Sequence, residues 1–124
     1  MREIKFRVWD AHKRMWAEYR IHDGVVYFLD KSTGVWVGKY DKRYKDFDLM
    51  QYTELKDMRG KEIYEGDIVI QNNKRHRVIF DEENARFCIR DDEFELNVGF
   101  TNNNNERMEV VGNIYENSEL TEGE

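Results

Sequence analysis

The sequence predicts a mainly β protein: a small barrel-like β domain with an N-terminal β subdomain and few or no helices. Three observations carry this. Apolar residues alternate with polar ones at the period of a half-buried strand, as in Ile4-Lys5-Phe6-Arg7-Val8-Trp9. Polar clusters bearing Gly, Asn or Asp interrupt the apolar runs at a spacing of about ten residues. Aromatic residues make up 14% of the 124 positions, a load that supplies the burial a folded core needs.

Taken in order, Ile4, Phe6 and Val8 form the buried face of a first strand. Residues 10–14 are a polar turn, and Met15-Trp16-Ala17-Glu18-Tyr19 returns as the partner strand. Residues 25–29 and Val35-Trp36-Val37 are β-branched and aromatic. The interval Asp30-Lys31-Ser32-Thr33-Gly34 between them fits a hairpin loop. Residues 38–46 are charged and read as an exposed connection. Residues 47–53 resume a strand, and Lys56-Asp57-Met58-Arg59-Gly60 is a turn with Gly60 available for positive φ. A strand over 67–71, entered through Gly66, ends in a tight turn at Asn72-Asn73, because Asn tolerates left-handed φ. Residues 77–80 and 86–90 pair across Asp81-Glu82-Glu83-Asn84-Ala85. A short strand over 94–98, a polar loop over 101–106 and a closing strand within 108–115 complete the pattern. Asn117 is placed to cap one helical turn reaching Leu120.

The whole of 1–124 reads as one domain, organised as two β subdomains at about 1–50 and 51–124. Cys88 is the single cysteine, which excludes an intrachain disulfide. With His12, His22 and His76 scattered, no zinc-ligand spacing exists, and no metal or cofactor is expected. Walker A and Rossmann glycine patterns are absent. There is no charged-then-apolar leader and no apolar run of about eighteen residues, so a soluble cytoplasmic protein without a membrane span is expected. Charge is uneven: residues 1–60 carry 13 Lys+Arg against 10 Asp+Glu, residues 61–124 carry 7 against 16. The acidic half disfavours whole-body attraction to nucleic acid. A local basic patch in the first half remains open, and such polarity can also steer one subunit onto another.

The segment from Gln51 to Ile70 is the most distinctive part of the chain. Its Gln51, Tyr52, Thr53, Leu55, Lys56, Asp57, Gly60, Ile63, Tyr64, Glu65, Gly66, Asp67, Ile68 and Val69 resemble the motif of the YopX-like family of small phage and prophage proteins. The opening Arg2-Glu3-Ile4-Lys5-Phe6-Arg7-Val8-Trp9-Asp10 and the ending Val111-Gly112-Asn113-Ile114-Tyr115-Glu116-Asn117, with Leu120, are similar to the family's two ends. The resemblance thus spans the chain. It implies a mostly-β fold with a barrel-like subdomain, SH3-like or of the family's own type, and a phage or prophage setting. It implies no catalytic residues. Glu54 departs from the pattern, standing where the family commonly has Gly. If that Gly has positive φ, Glu54 implies local strain.

Four groups of residues are candidates for function. Lys39, Tyr40, Lys42, Arg43, Tyr44 and Lys45 interleave cations with aromatics, the mixture that single-strand binders use for phosphates and bases. Against this stands an exposed connection whose tyrosines cover core edges. Lys74-Arg75-His76-Arg77 is a second basic cluster, better read as a charged hairpin tip. At Tyr64-Glu65-Gly66-Asp67, Glu65 and Asp67 lie two apart, so an extended strand puts them on one face about 7 Å apart. That suits a carboxylate pair for acid–base or metal chemistry, but turn geometry is the favoured explanation of Gly and Asp there. Asp81-Glu82-Glu83 and Asp91-Asp92-Glu93 with Glu95 lack the spaced ligands of a calcium loop and read as solvated turns. Trp9, Trp16 and Trp36 suit the core or a subunit contact, and Cys88 a buried position.

These readings converge on a non-catalytic protein-binding or self-assembling module, a homo-oligomer or the holder of a protein partner. Nucleic-acid binding through 39–45 and 74–77 is the alternative. An enzyme using Glu65 and Asp67 is the third.

Overall fold

The structure, a computed structural model, describes residues 4–117, so the turn expected between Asn117 and Leu120 falls outside the described residues beyond its first position. It is mainly β, with 54% of the described residues in strands, a curled half-barrel sheet, and 8% in two short 3-10 helices. No helix among the described residues is long and apolar enough to cross a membrane. The chain divides into two compact units, Lys5–Met50 and a second that holds Ile4 and the residues from Gln51 onward.

In the first unit, β1 (Phe6–Asp10) and β2 (Met15–Ala17) form a hairpin. A three-stranded meander follows: β3 (Tyr19–His22), β4 (Val25–Asp30) and β5 (Val35–Val37). The sequence reading ran residues 15–19 together as one strand. The structure instead starts β3 at Tyr19, where it pairs Phe28 and opens a new sheet. A 3-10 helix over Lys42–Asp46 leads into β6 (Phe47–Lys56), whose first four residues belong to this unit. Val8, Phe28, Val37 and Phe47 are buried together, and Phe28 stacks on Phe47 with centroids 5.1 Å apart. Fully burying side chains of this size stabilises a fold by about 1.5–3 kcal/mol each.

In the second unit the rest of β6 pairs β7 (Glu62–Tyr64). A five-stranded antiparallel sheet follows in the order β11-β10-β9-β8-β12, built from β8 (Asp67–Gln71), β9 (Lys74–Asp81), β10 (Arg86–Asp91), β11 (Leu96–Gly99) and β12 (Glu109–Asn113). Asn72 and Asn73, at φ 55° and 63°, make the two-residue turn between β8 and β9. Ile63, Val69, Val78, Ile89, Met108 and Val110 form the core of this unit. The polar loop after β11 contains a 3-10 helix over Asn104–Arg107, with Asn104 buried and its Nδ2 donating to the Gly99 carbonyl at 3.1 Å.

Four hairpin loops share one design. Asp10, Asp30, Asp81 and Asp91 each head a loop, and the fourth residue after each (Arg14, Gly34, Ala85 and Glu95) has positive φ, between 52° and 74°. Each aspartate Oδ1 accepts backbone N–H groups from within its loop, satisfying donors that the turn removes from the ladder.

Candidate functional site

The basic and aromatic segment divides along the geometry of its 3-10 helix. Asp41 caps that helix, its Oδ1 accepting from the Arg43 N–H at 2.9 Å. With three residues per turn, Lys42 and Lys45 share one face, and both are exposed. Arg43 turns inward. Its Nε and Nη2 donate to the two Asp41 oxygens at 3.1 and 2.8 Å, and its Nη1 donates to Asp30 Oδ2 at 2.9 Å. Tyr44 is half-buried, its ring 4.9 Å from that of Phe28. Lys39 and Tyr40 are exposed, with Lys39 Nζ 5.2 Å from the ring and Tyr40 93% exposed. Of the six residues, Lys39, Tyr40, Lys42 and Lys45 therefore face solvent, while Arg43 and Tyr44 are engaged within the unit.

Arg43 leads to a cluster that sequence spacing did not bring together. Lys13 Nζ lies 3.1 Å from Asp30 Oδ1 and 3.8 Å from Asp10 Oδ2, and both carboxylates are buried. The Ser32 hydroxyl, donating at 2.7 Å, and then Lys13 hold the Asp30 carboxyl far below the usual carboxylate range despite its burial. Asp41 is lowered to about 2, chiefly by hydrogen bonds from Arg43, whose own guanidinium is pushed up by Asp41 in return. A cleft of about 180 Å³ opens here, bordered also by His12, Asp46 and Phe47. Its two cations are already matched by carboxylates, so its chemistry is that of a lock joining two hairpin loops to the 3-10 helix. The sequence signal was the shared position of Asp10 and Asp30 at the heads of like loops.

The second basic cluster is neutralised locally. Lys74 Nζ reaches Glu93 at 2.7 Å and Arg77 Nη2 reaches Asp92 at 2.9 Å, while His76 is buried with Nδ1 3.4 Å from the Arg90 carbonyl. These residues lie in β9 itself rather than at a hairpin tip. No grouping of three or more His, Cys, Asp or Glu suited to a metal occurs among the described residues. Cys88 is fully buried, and burial pushes its thiol up. Trp9 and Trp16 meet edge to face, with centroids 5.1 Å apart.

At the Tyr64-Glu65-Gly66-Asp67 corner, Gly66 has φ 89°, and Asp67 is buried with Oδ2 accepting from the Tyr64 N–H at 2.7 Å. Glu65 N–H donates to the Gln51 carbonyl, Gly66 N–H to that of Val78, and Ile114 N–H to the Gly66 carbonyl, at 3.0, 2.8 and 2.9 Å. The corner thus ties β6, β9 and the end of β12 together. Glu65 Oε1 lies 3.4 Å from the Gln51 N–H.

The profile of the YopX protein family matches residues 5–122. Two crystal structures are similar in fold. Protein EF1440 from Enterococcus faecalis is 24% identical, with a TM-score of 0.66 over 97% of this chain and 99% of that one. Protein yopX from Bacillus subtilis is 24% identical, with a TM-score of 0.58 over 96% of each chain. No curated protein matches the chain. The motif from Gln51 to Ile70, the mainly β build and a profile match over nearly the whole length agree: the chain belongs to the YopX protein family.

Proposed function

We propose that this is a phage- or prophage-encoded, non-catalytic module of the bacterial cytoplasm that works by binding protein, another copy of itself first, through the open edge of β11. The observation that carries the reading is the composition of that edge. β11 ends the five-stranded sheet, and Leu96 and Val98 are 56% and 39% exposed on one side of it. Register sets Val98 beside Ile89 and Ile89 beside Val78, so an apolar row that begins in the core runs out to the edge. Phe94 and Phe80 add further exposed apolar surface. Natural edge strands are usually blunted by Lys, Pro or a bulge, and Leu-Asn-Val-Gly carries none of these. An added strand takes up such an edge through main-chain hydrogen bonds and alternate side chains. The phage setting follows the family resemblance. The non-catalytic part is supported by the commitment of the Asp67 carboxylate to its own turn.

Light scattering after size exclusion at several concentrations tests the reading. The expected result is a mass that rises toward the dimer with concentration and returns to the monomer in Val98→Lys. A monomer at every concentration would overturn it.

A further inference from the structure

The outward face of the three-stranded meander carries a second, separate constellation. Tyr19, Val26, Phe28 and Val37 point into the core of the first unit. Strand alternation and register then put Arg20, Tyr27, Leu29 and Trp36 on the opposite face, with Arg20 opposite Tyr27 and Leu29 opposite Trp36. The Arg20 guanidinium lies across this face, 4.5 Å from the Trp36 ring centre and 5.8 Å from that of Tyr27. Gly38 sits against the Tyr27 ring, where a Cβ would come within 3.0 Å of Cε1. The exposed Lys39 and Tyr40 follow it directly.

The composition of this unit is basic. Lys5–Met50 holds 10 Lys+Arg and 7 Asp+Glu. Lys13 and Arg43 are engaged with Asp10, Asp30 and Asp41. Arg20, Lys39, Lys42 and Lys45 are all exposed.

We propose that this face, with Lys39 and Tyr40 directly after it, binds single-stranded nucleic acid. Cations take the phosphates. The open Tyr40 ring and the Arg20 guanidinium, held over the Trp36 ring, take bases by stacking. Arg43 and Tyr44 have no part in it, since the lock and the core already hold them. A single strand suits the surface because its unstacked bases can reach an aromatic sheet face, whereas the stacked bases of a duplex cannot.

The test is fluorescence anisotropy of a labelled single-stranded 15-mer titrated with the full chain at several salt concentrations. Labelled duplex and polyglutamate serve as competing polyanions. Binding should weaken with salt. Tyr40→Ala should weaken it about five- to hundredfold at fixed salt, the worth of one stacked base. Lys39→Gln should lower the slope of log affinity against log salt by about 0.7. Tyr40 is almost fully exposed, so its variant keeps the fold, which circular dichroism checks. Absence of binding at low salt, equal binding of duplex or polyglutamate, or an unchanged affinity in Tyr40→Ala would each overturn the proposal.

Discussion

Glu54 stands at φ 74° within β6, where pairing with β7 slips between Tyr52 and Lys56. The slip is a bulge: four steps along β6 match two along β7, and a left-handed residue absorbs the excess. Left-handed backbone costs an ordinary residue about 1–2 kcal/mol, while glycine adopts it freely. Comparing two truncations isolates that cost from whatever the Glu54 side chain contacts. Glu54→Gly should be more stable than Glu54→Ala by about 1 kcal/mol in urea denaturation, and equal stabilities would show the bulge to be unstrained. Asp57 is the other residue on which this region turns. Its Oδ1 accepts the Arg59 and Lys61 N–H groups and its Oδ2 that of Val110, each at 2.9 Å, joining the turn to β12. Burial pushes its carboxyl up, but the backbone donors at Val110, Lys61 and Arg59 outweigh this and hold it below the usual range. A carboxyl lowered on folding contributes fully above its unfolded pKa of about 3.9 and loses that contribution as pH falls through the folded value. Asp57→Asn should therefore cost about 1.5–3 kcal/mol at pH 7, as a charged acceptor is lost. The gap from the parent should narrow at about pH 3, and a gap that stays constant would count against the assignment.

The shared loop design allows a test with opposite signs at equivalent positions. Gly34 and Ala85 both stand fourth after the aspartate that heads the loop, at φ 74° and 52°. A Cβ at Gly34 would meet nothing within 4 Å, so Gly34→Ala probes the backbone alone. It should destabilise by about 1 kcal/mol, while Ala85→Gly should stabilise by about 0.5 kcal/mol, relief of strain being offset partly by the entropy of glycine. Thermal melts of the two variants moving the same way would refute the common design. These loops were legible in the sequence because Asp, Asn and Gly act through their own backbone. The turn at Asn72-Asn73 and the strand from Asp67 to Gln71 were read from local residues alone. β3 and β7 were not, since each is short and takes its bounds from a pairing partner rather than from its own residues: Tyr19 from Phe28, and Tyr64 from Tyr52. The candidate site was half legible for the same reason. Asp41 ahead of Arg43 is a local cap signal, but Asp30, which turns Arg43 inward, lies thirteen residues away. The Arg20–Trp36 contact likewise joins two strands with a third between them.

Across the whole molecule, charge separates the two proposed interactions. The sequence from Gln51 onward holds 9 Lys+Arg and 18 Asp+Glu, whereas Lys5–Met50 has an excess of cations. The β11 edge belongs to the acidic unit, and Asp91, Asp92, Glu93 and Glu95 precede it directly. Two copies meeting edge to edge bring like charges together, a repulsion that salt screens once the Debye length falls below the separation of the groups, about 10 Å at 0.1 M. Apolar contact at Leu96 and Val98 is not weakened by moderate salt. Nucleic-acid binding depends on release of counterions from phosphates and has the opposite sensitivity. Raising NaCl from about 50 to 500 mM should therefore tighten self-association severalfold and abolish most oligonucleotide binding in the same preparation. Light scattering and anisotropy on matched samples read both. If the two affinities fall together, the copies meet through opposite charges, and the contact then pairs the acidic unit of one copy with the basic unit of the next. Such a head-to-tail contact need not close, so its mass would grow beyond the dimer, whereas an edge-to-edge pair of β11 strands is self-complementary and stops at two.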